Sequence, residues 1–276
     1  MKPIRRLCTA LRSAALAAAV GLSGCALQPA QTLPPVTTLL ADSSFAAPTQ
    51  PISADAVMQL SPAMQRYLDE QIRPRLRHQN ARDALLGALY TRSDLQLLYD
   101  DSATRTAAQA FEARAGNCLS LVMMTAAFAD AMGLPYRFQT VQVGENWGRE
   151  GNLVMFMGHV NIALGRQPGS LRLADLLEDN LVVDFLPTAD LRHQFTMPID
   201  KARVQALYMN NRSAEALAQG QIDNAYWWAR GAVAHDPRLG IALNTLGVIY
   251  LRHGRLAEAD AALRRAMAVE PDSRHA

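Results

Sequence analysis

The stretch ARAGNCLSLVMMTAAF, residues 113–128, places one cysteine at the start of an apolar helical pattern. Leu121, Met124 and Phe128 recur at three- and four-residue steps, which predicts one buried face of an α-helix. Cys118 stands at the beginning of that helix, where the helix dipole favours an anion. A cysteine acts as a nucleophile in its thiolate form. The stretch therefore predicts a helix that presents a thiol at its N-terminus.

The composition around this stretch is that of a globular protein. The chain has 276 residues, of which 50% are apolar and 19% are charged. This is enough for one ordinary domain and a smaller module. The formal net charge is +2, and Lys2, Arg5, Arg6 and Arg12 lie in the first 24 positions, where no acidic residue occurs. The remainder is close to neutral and gives no electrostatic case for nucleic-acid binding.

Residues 1–24 are typical of an export signal. A basic beginning is followed by an apolar run, residues 14–22, which is shorter than the ~20 apolar residues that a membrane-spanning helix needs. The ending LSGC resembles the bacterial lipobox, which implies cleavage before Cys25 and attachment of lipid to Cys25. Ala26 stands where many lipoproteins of the inner membrane have Asp, so the resemblance favours the outer membrane. A general secretory signal, cleaved nearby without lipid, is the alternative.

Three cysteines are present, and only Cys118 is expected to keep a free thiol in the folded chain. Cys8 leaves with the signal and Cys25 carries lipid, so no partner remains for an intramolecular disulfide. An exported protein meets an oxidising compartment, where an unpaired thiol is a liability. Cys118 is therefore either part of the buried core, as free cysteines often are, or functional.

Local patterns predict an α+β chain behind a flexible tether. Residues 25–52 are rich in Pro, Ser, Thr and Ala, which is typical of a tether that holds a folded domain away from a membrane. Helical patterns follow, with Ser61 as a predicted N-cap and Gly116 as the predicted C-cap of the helix before the cysteine. Beyond residue 135, three stretches alternate like strands. They are YRFQTVQV, NLVMFMGHVNIAL and LVVDFLP.

The last part of the chain contains a repeat of 34 residues, the period of tetratricopeptide repeats. Four pairs of identical residues share this spacing: Gly220 and Gly254, Ala225 and Ala259, Ala232 and Ala266, Pro237 and Pro271. In the first copy, Ser213 and Ala216 replace the Gly and Tyr expected of such a repeat. Two repeats cannot bury a continuous core alone. The repeats are therefore expected to dock on the preceding domain or on a partner.

Two polar residues on the predicted strands can complete a nucleophilic site with Cys118. His159 lies on the more polar face of the second strand pattern, and Asp184 lies in VVDFLP. A thiol nucleophile needs a base and the base needs a group that orients it, so this order of Cys, His and Asp is usable. His193 is the closest rival base. Each residue alone also has a plain structural role, since a lone buried His is more often a core residue and an Asp at a strand end a turn former.

Residues 104–141, together with GHVNIAL and VVDFLP, resemble the core of the transglutaminase-like superfamily. The resemblance implies a papain-like fold over residues 53–198, with the nucleophile after a Gly-x-Cys turn. By match to the motifs of that family, Cys118 is the nucleophile, His159 the general base and acid, and Asp184 the residue that orients the histidine. A similar pairing of such a domain with tetratricopeptide repeats occurs in bacterial envelope lipoproteins. The expected fold class is α+β, with all-α tetratricopeptide hairpins over residues 199–272.

The resemblance implies a cysteine hydrolase or acyltransferase, a peptidase or amidase, acting on a peptide amide in the cell envelope. The N–H of Cys118 is an expected donor to the oxyanion, and Asn117 or Gln139 could add a side-chain donor. No metal and no organic cofactor is expected. Expected partners are a protein or peptide substrate, a protein bound by the repeats, and the membrane through lipid on Cys25, with no nucleic acid. The expected location is the periplasmic side of the outer membrane.

A second interpretation belongs to another class of function. The chain would then be a non-catalytic envelope scaffold or peptide-binding lipoprotein on a retired transglutaminase-like fold, with the repeats holding a peptide or a partner helix. All three polar positions of the triad are filled, which argues against this interpretation. A slow, ordinary thiol at Cys118 would favour it.

Overall fold

Four helices of this chain begin next to residues whose side chains cap them, which are Ser61, Thr106, Asn117 and Asp200. A computed structural model describes residues 33–90, 95–141, 147–150, 153–156, 159–165, 180–185 and 195–270, without the side chains of 147–156. Eight α-helices lie in these ranges: α1 Pro62–Tyr67, α2 Ala81–Tyr90, α3 Ala107–Ala113, α4 Cys118–Met132, α5 Lys201–Ala218, α6 Ile222–His235, α7 Gly240–Arg252 and α8 Leu256–Val269. The predicted cap at Ser61 is confirmed, because Ser61 Oγ accepts from the backbone N–H of Met64 at 3.2 Å.

The strands form one central sheet and two small pairs among the described residues. They are β1 Leu98–Tyr99, β2 Ala115–Gly116, β3 Tyr136–Val141, β4 Trp147–Glu150, β5 Leu153–Phe156, β6 His159–Leu164, β7 Leu181–Val183 and β8 Thr196–Ile199. The central sheet is antiparallel in the order β7-β6-β3-β8, whereas β1 pairs with β2 in parallel and β4 pairs with β5. This mixture of helix and sheet is compatible with the predicted α+β class.

Helix α4 is the central buried element beside the sheet. Every residue from Leu119 to Ala129 is buried, and the helix ends at Gly133, which adopts the left-handed conformation at φ 63°. Helix α4 packs on α3 and on β6. The predicted stripe is therefore part of a helix that is buried on all sides, and only its two ends reach the surface of the core.

Gly116 does not have the role that its position predicts. Helix α3 ends at Ala113, and Arg114 takes the left-handed conformation at φ 51°. Gly116 is a residue of strand β2, where a Cβ atom would lie 2.7 Å from the Cβ of Ser120. The glycine is needed because the chain passes close to the first turn of α4, not because a helix ends there.

Residues 36–52 differ from the predicted tether, because they pack on the C-terminal helices. The Phe45 ring stacks on Tyr226 with 3.9 Å between centroids, and the Tyr226 hydroxyl donates to Asp42 Oδ1 at 2.6 Å. The Tyr250 hydroxyl donates to the carbonyl of Leu39 at 2.6 Å. The tether prediction is therefore wrong for this segment, since an aromatic ring and a carboxylate find buried partners about 180 residues away. Residues 25–32 lie outside the described ranges.

The last four helices form two antiparallel hairpins, α5 with α6 and α7 with α8, joined by packing of α6 on α7. They belong to the same compact unit as the sheet, and that unit begins at residue 36. Gln205 of α5 donates to the carbonyl of Ala54 at 2.9 Å, one of several bonds between the hairpins and the earlier part of the chain. No helix in the described ranges is both long enough and apolar enough to cross a membrane.

Candidate active site

Cys118 is the first residue of α4 and remains partly exposed. Asn117 caps the helix in front of it, because Asn117 Oδ1 accepts from the backbone N–H of Ser120 at 2.9 Å and from the Ser120 hydroxyl at 2.8 Å. The first N–H groups of a helix have no partner inside the helix. The thiol thus lies at the positive end of the helix dipole, in a position that a substrate can reach.

His159 and Asp184 form a buried pair beside this helix end. His159 Nε2 lies 2.6 Å from Asp184 Oδ2, and the two side chains are 2% and 4% exposed. The sheet explains the pairing, because β6 and β7 are neighbours and Val183 is the partner of Ile162, which brings Asp184 to the level of Asn161. The structure therefore brings together the histidine and the aspartate that the sequence predicts.

The thiol of Cys118 lies close enough to His159 to affect the pKa of the imidazole. Since Asp184 is bonded to Nε2, Nδ1 is the ring nitrogen left for the thiol. Burial by itself lowers the pKa of His159, but the hydrogen bond to Asp184, the proximity of Cys118 and the charges of both partners outweigh it. Together they raise the pKa of His159 from its ordinary value of 6.5 to about 9. The imidazolium form is therefore favoured near neutral pH, as a thiolate partner requires.

Asn161 is a residue of the site whose role the sequence does not reveal. It shares the sheet face of His159, is 1% exposed, and donates from Nδ2 to Asp184 Oδ2 at 3.2 Å. The same carboxylate oxygen thus receives hydrogen bonds from the histidine and from the amide. The alternation of β6 places Asn161 beside His159, but only the pairing with β7 shows that it holds Asp184.

Two tyrosines that the sequence analysis does not identify also lie near the triad. Burial, and after it the charges of Cys118 and Asp101, raises the pKa of Tyr99 to about 12. Tyr99 comes close to Cys118 because β1 pairs with β2 directly before the nucleophile. Burial, and after it the charge of Asp184, raises the pKa of Tyr90. A two-residue strand such as β1 has no sequence signal that could have placed Tyr99 here.

The candidate oxyanion donors differ in availability. The N–H of Cys118 lies at the free end of α4 and stays a candidate. The side chain of Asn117 is occupied, because its Oδ1 caps the helix and its Nδ2 donates to Thr104 Oγ1 at 2.9 Å. Asn117 is therefore a capping residue and not an oxyanion donor. Gln139 pairs with Asn161 across β3 and β6, and its Oε1 is buried without a hydrogen-bond partner among the described residues.

Two of the predicted site residues lie outside the described ranges: Cys25, the predicted lipid attachment site, and His193, the rival base. Within those ranges, no group of three or more His, Cys, Asp or Glu side chains is placed to hold a metal ion. What the arrangement offers is a thiol, a charged imidazole and a carboxylate in series, the parts that nucleophilic acyl transfer needs.

Comparisons with known proteins add no information about the function of this site. Neither a family model, nor a curated protein, nor a solved structure matches the chain.

Proposed function

We propose that the protein is a cysteine hydrolase or acyltransferase that acts on a peptide amide. The observation that supports this proposal best is the buried pair of His159 and Asp184, 2.6 Å apart, beside the helix N-terminus that carries Cys118. The position of the thiol and the charge of the imidazole both favour a thiolate. The thiol lies at a helix N-terminus, and the nearby imidazole is held in its cationic form.

The proposed reaction has two steps. In the first, the Cys118 thiolate attacks the amide carbonyl, the C–N bond breaks, and His159 gives its proton to the leaving amine. In the second, neutral His159 takes a proton from water, which attacks the thioester and releases the acid and the thiolate. An amine in place of water forms a new amide instead. Asp184 keeps the imidazole oriented throughout and stabilises its positive charge.

The wider proposals rest on sequence resemblance and on the arrangement of the elements. The helix that carries Cys118 lies beside an antiparallel sheet. His159 belongs to this sheet, and Asp184 directly follows its strand β7. This arrangement supports a papain-like, transglutaminase-like domain. Two hairpins with a 34-residue spacing support tetratricopeptide repeats, which would bind a protein partner. The signal over residues 1–24 and the lipobox before Cys25 support a lipoprotein of the cell envelope, anchored to the outer membrane and facing the periplasm.

The test is the pH dependence of alkylation of Cys118 by iodoacetamide, compared with the same reaction in a His159→Ala variant. Mass spectrometry of the peptide that contains Cys118 keeps Cys8 and Cys25 out of the measurement. We expect the wild-type thiol to react on the order of tenfold faster than the variant at a pH of about 6, because the imidazolium stabilises the thiolate. A variant of an exposed histidine, His78→Ala, is the control and should react like the wild type.

Other outcomes would favour other functions. A thiol that reacts slowly in both proteins below pH 8 would contradict the proposal and favour the scaffold interpretation. A thiol that reacts only after denaturation would show that Cys118 is a core residue. If the wild type is fast, the next measurement is the release of amine from a mixture of peptides, where Cys118→Ser should abolish the activity.

A further inference from the structure

The C-terminal hairpins contact the segment that precedes α3 through a buried residue, Thr104. Thr104 is 3% exposed, and its backbone N–H donates to Glu215 Oε1 at 2.7 Å. Its hydroxyl accepts from Asn211 Nδ2 at 3.2 Å. Glu215 and Asn211 both belong to helix α5, so this helix holds Thr104 by two directional bonds.

Thr104 is bonded in turn to the N-cap of α4. Asn117 Nδ2 donates to Thr104 Oγ1 at 2.9 Å, and Asn117 Oδ1 accepts from the Ser120 N–H and hydroxyl. The Ser120 hydroxyl also accepts from the backbone N–H of Arg105 at 2.8 Å. A continuous series of hydrogen bonds therefore runs from α5 through Thr104 and Asn117 to the first turn of α4, which carries Cys118.

The bond between Thr104 and Asn117 is costly to break because both residues are buried, whereas Asn211 and Glu215 are half-buried. The threonine hydroxyl has two acceptor lone pairs, and the amides of Asn117 and Asn211 use both of them. A buried amide that loses its acceptor retains the full desolvation cost of its N–H groups. If Thr104 is displaced, Asn117 therefore moves with it. Because Asn117 caps α4, the helix end that places the thiol moves as well.

Glu215 is oriented for this contact by a neighbour on its own helix. Arg212 Nη1 donates to Glu215 Oε2 at 2.8 Å, which leaves Oε1 for the N–H of Thr104. The carboxylate is 18% exposed and the guanidinium 29%. The pair is partly exposed, so screening by solvent limits its contribution to stability. The ion pair matters here for its geometry, because it fixes the position of Glu215 Oε1, which accepts from the N–H of Thr104.

We propose that Glu215 and Asn211 are positioning residues for Cys118, so that the C-terminal hairpins support the nucleophile. The inference rests on the proposed function and adds a means of regulation to that same site. A partner that shifts α5 against Thr104 changes the orientation of the thiol toward His159, without contact with the reacting atoms.

The experiment compares three substitutions in the full chain: Glu215→Ala, Glu215→Gln and Glu258→Ala. Glu258 is a matched control, because it forms an Arg–Glu pair of the same spacing with Arg255 on the other hairpin. Two quantities are measured under conditions in which all variants are folded. One is the ratio of Cys118 alkylation rates at pH 6 and pH 9.5, and the other is hydrogen exchange of the peptide spanning residues 115–121.

We expect Glu215→Ala to lower the alkylation ratio on the order of tenfold, because a small misplacement of a nucleophile has a large effect on rate. Amide exchange in residues 115–121 should become faster in the same variant. Glu215→Gln keeps an acceptor for the Thr104 N–H and should restore both quantities. Glu258→Ala should leave both at the wild-type value, whatever it does to the melting temperature.

Two results separate the failure of this inference from the failure of the proposed function. If the wild type has a high alkylation ratio and Glu215→Ala keeps it, the positioning inference is overturned and the proposed function stands. If the wild-type thiol is slow but exchange in residues 115–121 responds to Glu215→Ala alone, the hairpins support the helix end and the proposed chemistry is overturned. A Glu215→Ala variant that only melts earlier, with both quantities unchanged, has a structural role and contradicts the inference.

Discussion

At the scale of residues, His159 carries a charge in a place that burial alone would keep neutral. Its side chain is 2% exposed, and burial lowers its pKa, yet Asp184 and Cys118 raise that pKa to about 9. The Asp184 oxygen that is bonded to His159 also accepts a hydrogen bond from Asn161. A buried charge of this kind is stable only while its partners remain.

The first prediction concerns the partner of the imidazole. Asp184→Asn removes the negative charge that keeps His159 protonated, and burial then acts with less opposition, so the pKa of His159 should fall from about 9. Titration of the ring Cε1 proton by NMR measures this directly. Asn161→Ala leaves the carboxylate in place and is the control, since it should not lower this pKa. An unchanged histidine pKa in Asp184→Asn would show that the carboxylate does not hold the charge.

The second prediction concerns stability. Because the pKa of His159 is raised in the folded state from 6.5 to about 9, its contribution is complete below pH 6.5 and is lost as the pH rises through 9. The loss of unfolding free energy in His159→Gln should therefore be greater near pH 6 than near pH 10, by up to about 3 kcal/mol. Denaturant unfolding of both proteins across this range measures the difference. A loss that does not vary with pH would contradict the charged histidine.

Residue types and their spacing predict much of this site, but they do not predict the hydrogen bonds between its residues. Cys118 at a predicted helix start and His159 on a polar strand face follow from local periodicity. The roles of Asn161 and Asn117 do not, because an amide in a strand or before a helix has several uses. Asn117 was a candidate donor to the oxyanion, and only its bonds to Ser120 and Thr104 show that it is a cap.

At the scale of elements, the two hairpins differ in the residues that pack where their helices cross. Gly247 and Ser213 occupy equivalent positions, 34 residues apart, where the first helix of each hairpin crosses the second. A Cβ on Gly247 would lie 2.7 Å from Leu263 Cγ, so this crossing needs a glycine. In the other hairpin the residue that corresponds to Leu263 is Ala229, and the smaller side chain leaves room for Ser213, whose hydroxyl donates to the carbonyl of Ala225 at 2.8 Å.

The third prediction tests this compensation between facing residues. Gly247→Ser should lower the unfolding free energy by about 1–3 kcal/mol, because the added atoms overlap Leu263. Leu263→Ala should lower it as well, but the double variant should lose less than the two single losses together, by about 0.5–3 kcal/mol. Gly247→Ser combined with a change at Arg264, whose side chain is 72% exposed, should be additive. Additivity at Leu263 would contradict the proposed overlap.

Elements with a strong period are predicted well from this sequence, and elements defined by distant partners are not. The helix after Cys118 ends at Gly133, since glycine is favoured in the left-handed conformation. The pattern over residues 152–164 predicts one strand, whereas the chain forms two, β5 and β6, which belong to different sheets. Alternation specifies the face of each side chain but not the partner strand, and the partner decides where a strand ends.

At the scale of the whole molecule, the segment before the first helix joins the hairpins to the rest of the compact unit. Asp42 receives hydrogen bonds from Tyr226 and from Arg230, whose Nε lies 2.8 Å from Asp42 Oδ1. Thr49 donates from its backbone N–H to Asn224 Oδ1 at 3.0 Å. The composition of this segment favours a tether, and a window of neighbouring residues contains none of these partners. Contacts over such a separation are invisible to periodicity and depend on the tertiary fold.

The fourth prediction tests whether this segment is part of the folded unit. Phe45 is 7% exposed and stacks on Tyr226 at an interplanar angle of 3°. Phe45→Ala removes a buried aromatic ring and should lower the unfolding free energy by about 3–5 kcal/mol. Because the ring anchors residues 36–52, a protease should also cut this segment before the hairpins unfold. Both effects follow from one contact, so they should appear together.

The neighbouring exposed residue, Ser43, provides the control for that measurement. Ser43→Ala lies in the same turn and should change the unfolding free energy by less than about 0.5 kcal/mol, with no new cleavage. Early cleavage in Phe45→Ala without a loss of stability would mean that the segment is bound but contributes little to the unit. A variant that keeps both the wild-type stability and the wild-type protease resistance would restore the tether interpretation, because the ring would then have no anchoring role.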